Sequence, residues 1–248
     1  MDDRVRKADE PGSDADDDGT DAAAGLPAVL LCGGRGTRLD GDVEKPLVEV
    51  GGRPMVAHVL DALADAGVTR VVAVASPHAP DTRRALRSGT VADFGVGADL
   101  PRTVIDGSGE GYVADLDVGL SVVDGPAVTV AADLPLLRGR DVAAAIDEAV
   151  PGGDAGVSVA DGATPASGDV PSATAVRSVT VCVPVAYKRD LGASVDTSLE
   201  RAGTAVAPTG LNVVGDAPDR VVVRERDSLA VNVNRPGDLE LARRLMNR

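Results

Sequence analysis

The sequence predicts an α/β fold with a mostly parallel central sheet and helices on both faces of that sheet. Short apolar runs, such as residues 28–31 and 127–131, are typical of strands that are buried on both faces. Apolar residues at helical spacing follow the first run, at Val56, Val59, Leu60 and Leu63. Strands that alternate with helices at this spacing are joined by right-handed crossovers, and such crossovers give a parallel sheet.

The first half of the chain contains predicted strands and helices in regular alternation. The strands are predicted at residues 28–31, 70–75, 102–105 and 127–131. The helices are predicted from Pro54 to a stop at Gly67, and at residues 81–86, 112–122 and 140–149. In the helix at 112–122 we expect Val113, Leu116 and Leu120 to face the core.

The second half of the chain is less regular. The strand-like segments are residues 157–160, 178–183, 210–214 and 221–224, and the last helix is predicted at 236–246. Residues 161–172 are rich in Gly, Pro, Ser and Asp and are predicted to form a surface loop. A chain of 248 residues suits one large domain or two small ones. Because the sequence shows no domain boundary, we predict a single domain over residues 26–248.

Residues 1–25 have a different composition from the rest of the chain. This segment is rich in Asp and contains almost no large apolar side chain, so it cannot bury enough surface to fold. We therefore predict a disordered acidic N-terminal extension.

The charge composition excludes some partners. A formal net charge of -14 argues against nucleic-acid binding. The lysines are Lys7, Lys45 and Lys188, so arginine supplies nearly all the positive charge. An acidic, lysine-poor chain with 1% aromatic residues resembles proteins of a high-salt cytoplasm, where cations screen surface repulsion. Because no transmembrane or secretory segment is evident, we expect a cytoplasmic protein; a homo-oligomer stays open.

A glycine-rich turn follows the first predicted strand. Its glycines, Gly33, Gly34 and Gly36, let backbone N–H groups approach an anion closely. Positive charge comes from Arg35, Arg38 and Lys45. The turn lacks the Gly-Lys-Ser/Thr of a Walker loop, and Leu39 occupies the place of the third small residue of a dinucleotide fingerprint. The pattern still predicts a phosphate site.

Asp133 lies two residues after the predicted strand at 127–131, at the strand end where ligands bind in open α/β sheets. Its carboxylate could hold Mg²⁺, with Asn234 as a second oxygen ligand. The alternative for Asp133 is a helix N-cap, and the alternative for Asn232 and Asn234 is turn geometry. Glu110 and Asp115 are acids that could accept hydrogen bonds from a guanine ring, although an exposed helix acid is favoured for Asp115.

These motifs resemble those of a known superfamily. The run at residues 31–38 with Lys45-Pro46 resembles nucleotidyltransferases, which move a nucleoside monophosphate from an NTP to a phosphorylated acceptor. Over most of residues 27–246 the chain is further similar to the archaeal-type GTP:adenosylcobinamide-phosphate guanylyltransferases of cobalamin biosynthesis. Besides the glycine turn and residues 44–47, the runs that carry this narrower resemblance are residues 76–80, 104–112 with 115–116, 132–134, 209–214 and 231–234.

The resemblance implies a Rossmann-like nucleotidyltransferase domain that uses Mg²⁺ to transfer GMP from GTP to adenosylcobinamide phosphate. The implied catalytic residues are Arg38, Lys45 and Asp133. The implied nucleotide-binding residues are Leu31, Cys32, Gly33, Gly34, Arg35, Gly36, Thr37, Lys45, Gly109, Gly111 and Asp133. The implied acceptor-binding residues are Gly210 and Asn212, and the implied metal ligands are Asp133 and Asn234.

Two other functions stay open from the sequence. Molybdenum-cofactor guanylyltransferases share the glycine turn, the Lys-Pro pair and an ending like residues 232–239, whereas the runs at 109–112 and 210–214 favour the cobinamide enzymes. A nucleotide sensor without catalytic activity could use the same fold, but the retention of Arg38, Lys45 and Asp133 argues against it.

Overall fold

The structure is a computed structural model that describes residues 25–33, 43–90, 97, 99–150 and 175–248. Several predictions lie outside these residues. They concern the acidic extension, apart from Gly25, as well as the strand at 157–160 and the loop at 161–172. The same holds for Gly34, Arg35, Gly36, Thr37 and Arg38.

The described residues form strands, helices and one short 3₁₀ turn. The strands are β1 (Ala28–Cys32), β2 (Glu49–Val50), β3 (Arg53–Pro54), β4 (Val71–Ala75), β5 (Arg102–Asp106), β6 (Ala127–Ala131), β7 (Arg177–Pro184), β8 (Leu199–Arg201), β9 (Thr204–Val214) and β10 (Ala217–Val223). The helices are α1 (Met55–Asp65), α2 (Pro80–Ser88), α3 (Tyr112–Leu120), α4 (Gly139–Ala149), α5 (Val185–Leu191), α6 (Asp227–Ala230) and α7 (Pro236–Met246). The 3₁₀ turn is Lys45–Leu47.

The central sheet has the strand order β10-β7-β9-β6-β1-β4-β5, and β8 pairs with β9. The pairs β6-β1, β1-β4 and β4-β5 are parallel, as is β10-β7. Strand β9 runs antiparallel to both of its neighbours in this order, β6 and β7. The predicted mostly parallel α/β fold is therefore confirmed.

Alternation along the central strands places the core on both faces of the sheet. Ala28 and Leu30 of β1 belong to one apolar cluster, which includes residues of α1 and α4. Val29 and Leu31 point to the other face and pack with Leu116 and Leu120 of α3. Helices therefore cover both faces, and the carboxyl ends of β1, β4, β5 and β6 lie along one edge.

The structure corrects one predicted core position and adds elements that the sequence did not predict. Val113 is 69% exposed, because it lies on the outer side of α3, whose inner side carries Leu116 and Leu120. The hairpin β2–β3 was missed, although Gly51 and Gly52 adopt the positive φ angles that a two-residue hairpin turn requires. Strand β8 and helices α5 and α6 were also not predicted.

Candidate functional site

A pocket of about 320 Å³ opens at the carboxyl edge of the sheet. It is lined by Leu31, Gly33, Lys45, Pro46, Ser76, His78, Gly109, Gly111, Tyr112, Asp115, Ala131, Ala132 and Asp133. These residues come from the carboxyl ends of β1 and β6 and from the segments that follow β1, β4, β5 and β6, where the sequence predicted a ligand site. The pocket runs from Asp133 after β6, past β1 and β4, to the loop after β5.

Lys45 bridges two oxygen-bearing side chains at the β6 end of the pocket. Its Nζ donates to Asp133 Oδ2 at 2.7 Å and to Asn234 Oδ1 at 2.6 Å. The side chains of Lys45 and Asp133 are 13% and 17% exposed, so the pair is shielded from water but can still be reached from the pocket. The three residues that the sequence singled out for charge and metal binding thus meet at one point.

The turn that carries Lys45 is anchored to the rest of the fold by its neighbours. Pro46 is buried at the first turn of the 3₁₀ segment, and Leu47 N donates to Glu44 O at 2.8 Å. The Glu44 carboxylate accepts from the backbone N–H groups of Asp81 and Thr82 at the start of α2. Because a carboxylate suits a helix N-terminus, Glu44 ties the Lys45 turn to α2.

Asp133 does not cap a helix. The N-cap of α4 is Arg138, five residues further on, so the N-cap alternative is wrong for that helix. The Asp133 backbone carbonyl instead accepts a hydrogen bond from Val233 N at 3.0 Å. This bond joins the segment after β6 to the segment before α7, and it brings Asn234 to the site.

The segment before α7 presents its two asparagines by simple alternation. Val231 and Val233 are fully buried in a second apolar cluster, so Asn232 and Asn234 point to the opposite side of the extended chain. Asp238 of α7 holds this segment, since its Oδ2 accepts from the backbone N–H groups of Asn234 and Arg235. Asn232 and Asn234 therefore both lie beside Asp133.

Lys188 of α5 is a residue of this network that sequence reasoning did not place. It is 4% exposed, and its Nζ donates to Asn232 Oδ1 at 3.1 Å. Asn232 Nδ2 in turn donates to Thr209 O at 2.7 Å and lies 3.5 Å from Asp133 Oδ1. Burial lowers the pKa of Lys188, and the nearby carboxylates of Asp238, Asp133 and Asp196 oppose that effect. The scarcity of lysine was the signal that could have found it.

Gly210 and Asn212 lie on β9 next to this network. Gly210 has a φ of +86°, and a Cβ at this position would lie 3.4 Å from Ala131 Cβ and 3.5 Å from Asn232 Nδ2. The register between β7 and β9 shifts at this point, so Gly210 belongs to a bulge. Asn212 is paired with Thr129 of β6 and is half-buried. The structure places both residues near the site; a role in acceptor binding stays a prediction.

Asp115 occupies the β5 end of the pocket and is only 5% exposed, so the interpretation as an exposed helix acid is wrong. Its Oδ1 accepts from Ser108 Oγ at 2.8 Å and from Gly109 N at 3.1 Å. The carboxylate packs against Gly33 and Gly107, where a Cβ would come within 3.4 Å of Asp115 oxygens. Glu110, by contrast, is exposed.

The other predicted nucleotide-binding residues that the structure describes differ in what they can contribute. Leu31, Gly33, Gly109 and Gly111 line the pocket. The Cys32 side chain is fully buried in the core, and burial raises its pKa to about 12, so it is neither a nucleophile nor a side-chain contact.

The residues around Lys45 fit a magnesium ion. Among the described residues there is no group of three or more His, Cys, Asp or Glu side chains that could hold a metal. Asp133 and Asn234 nevertheless offer one carboxylate and one amide oxygen to the same cation, the Lys45 ammonium. Mg²⁺ is commonly bound through one or two protein oxygens while substrate phosphates and water supply the rest.

Comparison with known proteins identifies the family. The family model of the MobA-like NTP transferase domain matches residues 28–213. The chain belongs to this family. The adenosylcobinamide-phosphate guanylyltransferase of Methanocaldococcus jannaschii is 27% identical over 227 residues, which cover 90% of this chain and 98% of that protein.

Other relatives of this NTP transferase match shorter parts of it. The mannose-1-phosphate guanyltransferase of Saccharomyces cerevisiae is 52% identical over 50 residues, which cover 19% of this chain and 14% of that protein. The solved structure of 4-diphosphocytidyl-2C-methyl-D-erythritol synthase from Anaerococcus prevotii shares the fold. Its TM-score is 0.56 at 11% identity, over 90% of this chain and 99% of that one.

Within the described ranges, no helix is long and apolar enough to cross a membrane.

Proposed function

We propose that this NTP transferase transfers GMP from GTP to adenosylcobinamide phosphate, which gives adenosylcobinamide-GDP and pyrophosphate. The observation that carries the proposal is the Lys45 bridge between Asp133 and Asn234, at the β6 end of a pocket large enough for a purine. The similarity to the cobinamide enzyme of M. jannaschii extends over nearly the whole length of both chains and supports this acceptor.

In the proposed reaction an oxygen of the acceptor phosphate attacks the α-phosphorus of GTP. A new P–O bond forms there, the bond to the bridging oxygen of the β-phosphate breaks, and pyrophosphate leaves. This chemistry needs positioning and charge stabilisation rather than a protein nucleophile. Lys45 leaves its bridge to neutralise the negative charge that grows on the pyrophosphate, and Arg38 is proposed to act with it.

The glycine turn is proposed to hold the phosphates through its backbone N–H groups. Gly33 lines the pocket, and Gly34, Gly36 and the intervening residues continue from it along the chain. Asp133 and Asn234 are the residues that would hold Mg²⁺. When bound, the ion supplies positive charge to the phosphate groups.

The acceptor is proposed to lie over the β6–β9 part of the sheet. Gly210 adjoins Asn232 and Ala131 there, and Asn212 is half-buried beside Thr129. The amide of Asn212 can form hydrogen bonds with polar groups of the acceptor substrate. The absence of a side chain at Gly210 lets a bulky acceptor substrate approach the backbone closely.

One assay tests the proposal against its two rivals. The full chain is incubated at high salt with GTP, Mg²⁺ and either adenosylcobinamide phosphate or molybdopterin, and pyrophosphate and product mass are measured. We expect pyrophosphate and adenosylcobinamide-GDP with adenosylcobinamide phosphate, and no product with molybdopterin. Product with molybdopterin would show the molybdenum-cofactor reaction, and GTP binding without product from either acceptor would favour the sensor.

A further inference from the structure

Asp115 is a buried carboxylate that lines the pocket between Gly33, which follows β1, and Gly107, which follows β5. It follows Ser108 and Gly109 after β5, whereas Lys45 and Asp133 lie at the β6 side of β1. The proposed chemistry at Lys45 makes no use of it. The carboxylate lines the pocket at 5% exposure, and its hydrogen-bond partners among the described residues are Ser108 and Gly109. Because burial of a carboxylate costs free energy that hydrogen bonds offset, donors of a ligand in the pocket would stabilise it.

The two oxygens of Asp115 are in different situations. Oδ1 accepts two hydrogen bonds, from Ser108 Oγ and Gly109 N. Oδ2 accepts no hydrogen bond from the described residues. It lies beside Gly33, because a Cβ built on Gly33 would be 3.4 Å from Asp115 Oδ2. The carboxylate is thus held in place through one oxygen, and within the part of the chain that the structure describes its second oxygen can accept from a ligand.

The walls around this end of the pocket favour a flat ligand. Gly33, Gly109 and Gly111 bring backbone rather than side chains to the lining. The Gly109 loop packs on the turn after β4, because a Cβ at Gly109 would lie 2.6 Å from Pro77 Cγ. A planar ring can enter between these backbone segments with its edge toward Asp115.

We propose that Asp115 is the residue that selects guanine. Guanine presents two neighbouring donors on one edge, N1–H and the 2-amino group, and an anionic oxygen accepts both well. Adenine presents an acceptor at N1 and no 2-amino group, so its edge would meet Asp115 with an unpaired lone pair. This inference rests on the proposed function and adds the residue that determines the choice of nucleotide.

The test compares nucleotides and variants by calorimetric binding, without acceptor and with Mg²⁺. The wild-type protein is expected to bind GTP about 10- to 100-fold more tightly than ITP, which lacks the 2-amino group, and to bind ATP most weakly. Asp115→Asn keeps an acceptor for Ser108 and Gly109 but turns a donor toward the pocket. Its GTP affinity should fall about 10- to 100-fold, and its preference for GTP over ATP should be lost.

Asp117→Asn is the matched control, because Asp117 is exposed on the same helix; it should bind all three nucleotides as the wild type does. The wild-type series needs no variant, so it still tests the proposal if Asp115→Asn fails to fold. Equal wild-type affinities for GTP, ITP and ATP would overturn the assignment, as would an unchanged preference in folded Asp115→Asn. A clear preference for GTP without transfer to cobinamide phosphate would contradict the proposed function alone.

Discussion

Lys45 and Lys188 both act on Asp133, but from different surroundings. Lys45 contacts Asp133 Oδ2 directly from the pocket, with 13% of its side chain exposed. Lys188 is buried in α5 and reaches Asp133 through Asn232, whose Nδ2 lies 3.5 Å from Asp133 Oδ1. They are the two lysines within the described ranges of a chain whose positive charge is otherwise arginine. An ammonium is compact enough for both places, whereas a guanidinium needs room for its planar fork.

The difference in exposure gives the two lysines different expected roles, substrate binding for Lys45 and positioning for Lys188. A group at the pocket surface can exchange its partners for substrate phosphates, so Lys45 can act on the reaction directly. A buried ammonium cannot reach a substrate, so Lys188 is expected to act by fixing the Asn232 carboxamide. With its oxygen turned to Lys188, Asn232 offers Asp133 an N–H rather than a metal ligand. Asn234 is therefore the better candidate for the metal.

The largest effect is expected at Asp133, where the two lysines converge. Asp133→Asn should lower Mg²⁺-dependent turnover by about 1000-fold or more, because it removes the charge that is proposed to hold the metal and that pairs with Lys45. GTP binding without metal should persist. Steady-state kinetics and calorimetry measure both quantities, with exposed Asp124→Asn as the control. Normal turnover with a lowered thermal midpoint would show that Asp133 is structural.

Replacement of Lys45 tests the role of the lysine that faces the pocket. Lys45→Ala should reduce turnover by about 100- to 1000-fold, the range for loss of one group that stabilises transition-state charge. The fold should stay intact, although the melting temperature should fall, because the largely buried Asp133 carboxylate loses the Lys45 ammonium. Arg84→Ala, which removes a cation from an exposed ion pair, is the control. A Lys45→Ala enzyme with near-normal turnover would remove Lys45 from the mechanism.

Gly210 tests the bulge of β9 that lies beside the lysine network. Gly210→Asp should weaken GTP binding about 10-fold or more, because its side chain would press on Asn232 and bring a second carboxylate toward Asp133. Gly203 also has a positive φ, of +77°, and has nothing near a Cβ. Gly203→Asp therefore separates backbone strain from local contact. Equal GTP affinity in the two folded variants would show that Gly210 is needed only for the backbone conformation of the bulge.

The smallest effect is expected for replacement of the buried lysine, Lys188. Lys188→Met should lower kcat about 10-fold with little change in KM for GTP, since a positioning residue affects the reacting geometry more than ground-state binding. Lys188→Gln retains a donor for Asn232 and should recover part of the loss. The adjacent exposed residue provides the control Arg189→Met. If Lys188→Met changes melting temperature but leaves kcat and KM intact, the residue is purely structural.

The sequence predicted the strand-and-helix alternation through β6 because buried parallel strands are short apolar runs and their helices are amphipathic. Strand β6 was predicted with its observed bounds, as was α7. Asp133 and the glycine turn could be placed at one edge by topology alone, since parallel strands end together. The antiparallel β9 could not be foreseen, because its direction depends on pairing with β6 and β7, which are distant in the chain.

What the sequence determined by itself was the residue chemistry: a glycine turn, a rare lysine and a carboxylate after a buried strand. Tertiary structure decided which of these residues meet. Asn234 contacts Lys45 across 189 positions of chain because Val231 and Val233 are buried and Asp238 holds the segment. Lys188 and Asp115 gained their significance from burial. No local pattern marks a charged helix residue as buried, since that depends on which segments pack against it.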